Sequence, residues 1–247
     1  MAEQSSLRQS GAILAAVLRH VSTQMGSGQT TAELDALARK ELAALGGTSP
    51  FLGYVVDGSQ PFPAALCVSV NDEIVHGIPG ARELVLGDVV GLDFGVTYEG
   101  MITDGAITVV VGGQPNSAVS RLLAATQEAL AAGVAQVKAG ARVGDISAAI
   151  EHRLKRDKLG IIRELSGHGV GDVVHEEPTI LNYGRAGTGM RLEAGMSLAI
   201  EPMASLGDRH IRIAADGWTI KTSDGSIAAQ FEHSVLVTAT GCEILTK

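Results

Sequence analysis

Aromatic side chains are scarce in this 247-residue sequence, where one tryptophan, three tyrosines and four phenylalanines make up 3% of the chain. A core built on ring stacking is excluded, so aliphatic packing must carry the fold. Cysteine is scarcer still: Cys67 and Cys242 cannot form the multi-bridge framework of a small secreted domain. No apolar run approaches the ~20 residues of a membrane span. The early apolar stretch, 11–18, lacks a small-residue cleavage pattern behind it and reads as one face of a helix. Clusters of basic residues are also missing, and a formal charge of −8 repels a phosphate backbone, which excludes nucleic acid as a primary partner. These absences lead us to expect a cytoplasmic protein with no membrane association.

Apolar residues, by contrast, are ample at 45%, enough at this length to bury a core without staples. Ile13, Leu14, Val17, Leu18 and Val21 recur at helical spacing and predict a helix over 7–25. A second is predicted over 31–45, opened by a Thr30/Glu33 capping box and stopped at Gly46. A similar pair follows over 120–137 and 143–155, with Gly140 at the break. Gly28, Glu33 and Leu34 fall opposite Gly140, Asp145 and Ile146 at a constant offset of 112 residues, which signals an internal repeat. Each helix pair precedes β-rich sequence punctuated by glycine, over 66–75 and 88–111 in one half and 196–203 and 227–238 in the other. Helices segregated from strands predict an α+β architecture, two related halves sharing one sheet with a cleft between them. No linker or low-complexity tract parts the halves, so we expect one domain over 1–247, with repeats at about 5–112 and 117–247.

The chemistry concentrates in a few segments. Two β-rich runs flank Tyr98, Glu99 and Gly100, and a turn centred on Tyr98 and Glu99 would pair residues whose numbers sum to 197, setting Asp93 directly opposite Asp104. Aspartate is disfavoured in strands and facing carboxylates repel, so a cation is the simplest compensating charge. Glu201 and Glu232 each sit inside a further apolar run, and the segments carrying the four carboxylates hold no lysine or arginine. His168 between glycines, His175 beside acids and His76 at a comparable place in the first half bring imidazoles towards the same cleft. Taken singly, each residue has a plainer account as a turn cap or a hydrogen-bonded core histidine. Together they describe a two-metal site for Mn, Fe, Co or Zn rather than a thiolate-rich structural zinc site.

The segments CVSVNDEIVHGIPG, LDFG followed by TDGA, GHGVGDVVHEEP, AIEPM and DGWTIKTSDGSIAAQFEH resemble the type I methionine aminopeptidases, short members of the pita-bread metallopeptidases. The resemblance runs over nearly the whole chain, and its spacings agree together: 11 residues from Asp93 to Asp104, 33 from His168 to Glu201 and 31 from Glu201 to Glu232. It implies a pita-bread fold, in which two pseudo-symmetric halves share a curved, antiparallel-rich sheet covered by helices. It implies that Asp93, Asp104, His168, Glu201 and Glu232 ligate two divalent ions, bridged by Asp104 and Glu232. The implied reaction is hydrolysis of the first peptide bond, removing the initiator methionine ahead of a small second residue. Glu201 would accept a proton, His175 would hydrogen-bond the scissile amide and the tetrahedral centre, and His76 would contact the backbone after methionine. Tyr54, Phe62, Cys67 and Trp218 would wall the methionine pocket. The implied partners are N-terminal methionyl peptides and nascent chains, with transient ribosome contact, and the chain is expected to be a monomer.

Two departures from that family stand out. Residues 56–60, VDGSQ, are additional between Tyr54 and Phe62, and Phe51 and Val174 stand where related sequences often carry cysteine and phenylalanine. The metal-ligand positions show none. Two rival readings use the same fold: a proline-directed aminopeptidase and a non-enzymatic binding protein. The first usually has a further domain ahead of the catalytic one, whereas helix signals here begin at once; the second would have lost ligands, and none is missing.

Overall fold

The computed structural model describes residues 2–56 and 58–247; Met1, and Asp57 of the 56–60 insert, lie outside the described residues. The first half comprises α1 (Ala2–Gln24), α2 (Thr31–Ala44), β1 (Leu66–Val70), β2 (Glu73–Val75), β3 (Val89–Tyr98) and β4 (Met101–Val110). The second begins with α3 (Ser117–Val134), α4 (Val143–Arg156), β5 (Gly160–Ile161), β6 (Ser166–Gly169), β7 (Glu176–Leu181), β8 (Ser197–Ile200) and β9 (Met203–Ser205). It ends with β10 (Ile211–Ile213), β11 (Ile220–Thr222), β12 (Ala228–Gln230), β13 (Glu232–Val237) and β14 (Cys242–Ile244).

Local chemistry sets the helix ends. Thr30 Oγ1 accepts from Glu33 N at 3.2 Å while Glu33 Oε2 accepts from Thr30 N at 2.7 Å, the expected capping box. At the other end of α2, Gly46 sits at φ +78° and Gly47 N donates to Leu42 O, a glycine-stopped Schellman arrangement. α3 starts and ends three residues earlier than the periodicity suggests, because Asn116 Oδ1 caps Ala118 N and Val119 N at 3.0 Å.

The expected β-rich runs form, interrupted where the backbone demands it. Asn71 at φ +62° separates β1 from β2, Pro202 follows β8, and Phe231 divides β12 from β13. One antiparallel sheet runs β1-β3-β4-β13-β8-β6-β7, with β14 on β13, so the β4–β13 pairing is the seam between halves. Val90, Leu92, Phe94 and Val96 of β3 pack with Leu14, Val17 and Leu34 of α1 and α2, and Val235 and Val237 of β13 pack with Ile146 and Ile150 of α4. Alternation along each strand therefore turns Asp93, Asp104 and Glu232 to the sheet face away from the helices.

The hairpin register differs from the expected one. Tyr98 pairs with Met101, so paired numbers sum to 199; Asp93 lies opposite Ala106 and Asp104 opposite Gly95. The turn residues are Glu99 at φ +48° and Gly100 at φ +82°. Positive φ at both positions is the type I′ hairpin turn, and placing glycine second meets that better than a Tyr98–Glu99 turn. A shift of two residues keeps every side chain on its face, so the two aspartates remain diagonal neighbours.

Candidate metal centre

Two adjacent rows of the sheet carry the polar groups. In one, Cys67 pairs with Asp93, Asp93 with Ala106, Ala106 with Glu232, and Glu232 falls beside Glu201, since His233 pairs with Ile200. In the next, Gly95 pairs with Asp104, which is tied to Ser234 by paired hydrogen bonds of 2.8 and 2.7 Å; Ser234 pairs with Ala199 and Ala199 with His168. Asp93, Asp104, Glu201, Glu232 and His168 all line one cavity of about 240 Å³. So do His76, His175, Tyr54, Phe62, Cys67 and Trp218. The cavity thus gathers every side chain that the sequence marked for the site.

Glycines explain how His168 enters a crowded sheet. A Cβ on Gly167 would meet Ala199 O at 2.4 Å and one on Gly169 would meet Glu177 O at 2.3 Å, so only glycine on either side lets β7 and β8 close in. His168 Nδ1 donates to Gly169 O at 2.9 Å, which leaves the Nε2 lone pair facing Glu232 Oε1 at 3.8 Å and Asp104 Oδ2 at 4.0 Å. His76 occupies the left-handed region at φ +58°, and the following Gly77 lies against Val68 O, where a Cβ would come within 2.2 Å. A bulky residue in that conformation is a local cost of the sort concentrated at functional sites.

The electrostatics call for cations. Burial raises Asp93 from 3.8 to about 6 and pushes Asp104, Glu201 and Glu232 well above the usual carboxylate range, with mutual repulsion adding to the last three. Burial, with His175 contributing, lowers both His76 and His168 to about 4 and leaves them neutral, as metal ligation or hydrogen bonding requires. Among the described residues no lysine or arginine lines the cavity, and buried Asp93 Oδ1 and Glu232 Oε1 have no hydrogen-bond partner. Asp104, His168 and Glu232 offer ligand atoms within 4.8 Å of one another, as do Asp93, Glu201 and Glu232. A set of hard oxygens plus one imidazole, with Glu232 common to both clusters, fits two divalent ions.

Gln230 was not singled out from the sequence. Its Nε2 donates to Asp93 Oδ2 at 3.0 Å and to Glu201 Oε1 at 2.6 Å, holding the two carboxylates side by side. An uncharged amide two residues before Glu232 gives no charge signal, although its burial in β12 accounts for its place. The apolar end of the cavity is walled by Phe62 edge-on to Trp218, with ring centroids 5.3 Å apart, and by Cys67, whose thiol burial pushes up and keeps protonated. The insert contributes directly: Val56 lines the cavity and Gln60 O accepts from Trp218 Nε1 at 2.9 Å. Phe51 lies over Gly95, where a Cβ would meet its ring at 2.8 Å, and Val174 is buried in the same apolar cluster.

Comparisons with known proteins agree with this geometry. The description metallopeptidase family M24 matches residues 5–239. The methionine aminopeptidase of Aquifex aeolicus (strain VF5) is 42% identical over 250 residues, covering 99% of this chain and 96% of that protein. The crystal structure of methionine aminopeptidase from Thermotoga maritima gives a TM-score of 0.95 at 39% identity, covering 100% of this chain and 97% of that one. A prolidase from Pyrococcus furiosus, at 22% identity and TM-score 0.79 over 64% of its length, shares the pita-bread fold alone. Matched from near its start to near its end, with two clusters in its cavity that could hold metal ions, the chain belongs to metallopeptidase family M24.

Proposed function

We propose that this chain is a methionine aminopeptidase of one catalytic domain, removing the initiator methionine from proteins with a small second residue. The observation that carries this is one cavity joining two carboxylate-rich clusters to an apolar recess closed by Trp218 and Phe62, in a chain similar along its whole length to methionine aminopeptidases. A thioether side chain suits that recess, since sulfur gains from ring contacts.

Asp93, Asp104, His168, Glu201 and Glu232 would hold two divalent ions, which when bound would supply Lewis acidity towards the scissile carbonyl and lower the pKa of water. The chain's own groups do the rest. Glu201, held beside Asp93 by Gln230, takes the proton lost by water and passes it to the departing amine. His175 donates a hydrogen bond to the carbonyl oxygen of the scissile amide as that oxygen gains charge. His76, whose ring packs edge-on to Trp218 with centroids 6.1 Å apart, holds the backbone of the second residue. Tyr54, Phe62, Cys67 and Trp218 enclose the methionine side chain. We read the active form as a cytoplasmic monomer that meets nascent chains beside the ribosome.

The test is methionine release from Met-Ala-Ser by protein stripped with chelator and reloaded with Mn, Fe, Co or Zn, beside Met-Leu-Ser and Ala-Pro peptides. Metal-dependent cleavage of Met-Ala-Ser, poor cleavage of Met-Leu-Ser and none of Ala-Pro is expected. His175→Ala should lower turnover on the order of 10²–10³-fold. No release with any metal would leave a binding protein of this fold, and preferential cleavage of Ala-Pro a proline-directed enzyme.

A further inference from the structure

We infer that Tyr54 is a positioning residue for His175: its hydroxyl donates to Nδ1 and so fixes the tautomer whose Nε2–H is directed into the cavity. The inference rests on the reading of His175 as a hydrogen-bond donor in the proposed reaction. Tyr54 Oη lies 2.8 Å from His175 Nδ1, and the ring centroids are 5.5 Å apart. Among the described residues neither side chain has another hydrogen-bond partner, so the bond is each one's whole polar connection to the protein.

Chemistry gives this bond a direction. A phenol is the better donor and an imidazole nitrogen the better acceptor, so the hydroxyl proton points at Nδ1. A neutral imidazole carries a single N–H; with Nδ1 accepting, that proton must be on Nε2. The other tautomer would present a lone pair to an oxygen gaining negative charge and repel it. His168, whose ring centroid is 4.4 Å from that of His175, is held the opposite way, because its Nδ1 donates to Gly169 O. Two imidazoles in contact are thus given opposite tautomers by their outer partners. His168 keeps a lone pair for a cation, and His175 keeps a proton for the substrate.

The backbone keeps Tyr54 in place. Gly53 N donates to Phe62 O and Phe62 N to Tyr54 O, both at 2.8 Å, which ties together the two ends of the segment containing the insert. Tyr54 N also donates to Phe51 O at 2.9 Å. The ring therefore springs from a clamped backbone, and the bond to His175 is what orders its hydroxyl.

The experiment is a pair of measurements on zinc-loaded full-length protein. With ¹⁵N-labelled histidine, two-bond ¹⁵N–¹H correlation spectra should show wild-type His175 protonated on Nε2 and His168 on Nδ1. Tyr54→Phe should mix the tautomers of His175 and leave those of His168 alone. On Met-Ala-Ser the same variant should lose about 10-fold in kcat, the size seen when an outer hydrogen-bond partner is removed, with KM unchanged within about twofold. In a His175→Ala background, Tyr54→Phe should add no further loss, because the phenylalanine ring still walls the pocket and the lost hydroxyl acts only through His175. Wild-type His175 protonated on Nδ1 would overturn the inference. So would a variant that raises KM while keeping kcat, which marks a pocket wall only, or a further loss in the His175→Ala background. Wild-type protein that releases no methionine would sink the proposed reaction instead, while the tautomer spectra still judge Tyr54.

Discussion

At the entry to α2 and at the entry to α4 the chain makes the same shape from different residues. Gly28 and Gly140 take φ +88° and +89°, and each donates its N–H at 2.8 Å to a leucine carbonyl, Leu84 or Leu192. Three residues into each helix segment an acid accepts from the capping residue's N–H, Glu33 from Thr30 and Asp145 from Arg142. Leu34 and Ile146 then enter the two cores fully buried. The caps differ: Thr30 returns the bond through its hydroxyl, whereas Arg142 has no acceptor, and its guanidinium donates to Gly189 O instead. The polar yields differ more. The first half delivers Asp93 and Asp104 from one regular hairpin, the second His168, Glu201 and Glu232 from the ends of short strands. What recurs is the backbone geometry that builds the frame; side chains at equivalent places were free to diverge.

That comparison can be broken by mutation. The largest effect is expected at the buried pair, where Leu34→Ala and Ile146→Ala should each cost about 2–5 kcal/mol in urea unfolding, because both leave cavities in tight cores. A cost confined to one half would end the equivalence. A smaller effect separates the caps: Thr30→Ala should cost about 1 kcal/mol by the same assay, and Arg142→Ala within about 0.5 kcal/mol. Equal losses would mean that the reciprocal bond at Thr30 adds nothing.

Much of the frame was legible because it is local. Capping at Thr30 and Glu33, the Gly46 stop and the 3.6-residue spacing of α1 need no distant partner. The hairpin was legible in kind, but a turn centred on Tyr98 and Glu99 leaves the register two residues off, because the positive φ values belong to Glu99 and Gly100. The even slip left the facing of both aspartates intact. β6 was not legible: Ser166, Gly167, His168 and Gly169 have little strand propensity, and only backbone close approach across the sheet makes them one. Nor were β5, β10, β11 and β14, two or three residues each, too short to show a period. The charged and imidazole members of the site stood out because acids inside apolar runs defy propensity. Gln230, uncharged, broke no such rule.

The claim most exposed to a single measurement is that the buried carboxylates need divalent cations. Folded and stripped, Asp93 holds its proton up to about pH 6 against 3.8 when free, so the stripped protein loses stability as pH rises through that window. His76 and His168, lowered to about 4, work the other way, losing stability as pH falls from 6.5 towards 4. Cation binding removes the carboxylate cost and competes with protons at His168, so both effects make the gain from metal larger at higher pH. Thermal unfolding of stripped and zinc-reloaded protein between pH 5 and pH 7.5 should show a Tm gain on reloading that grows through about pH 6. A Tm indifferent to metal across that range would contradict the account.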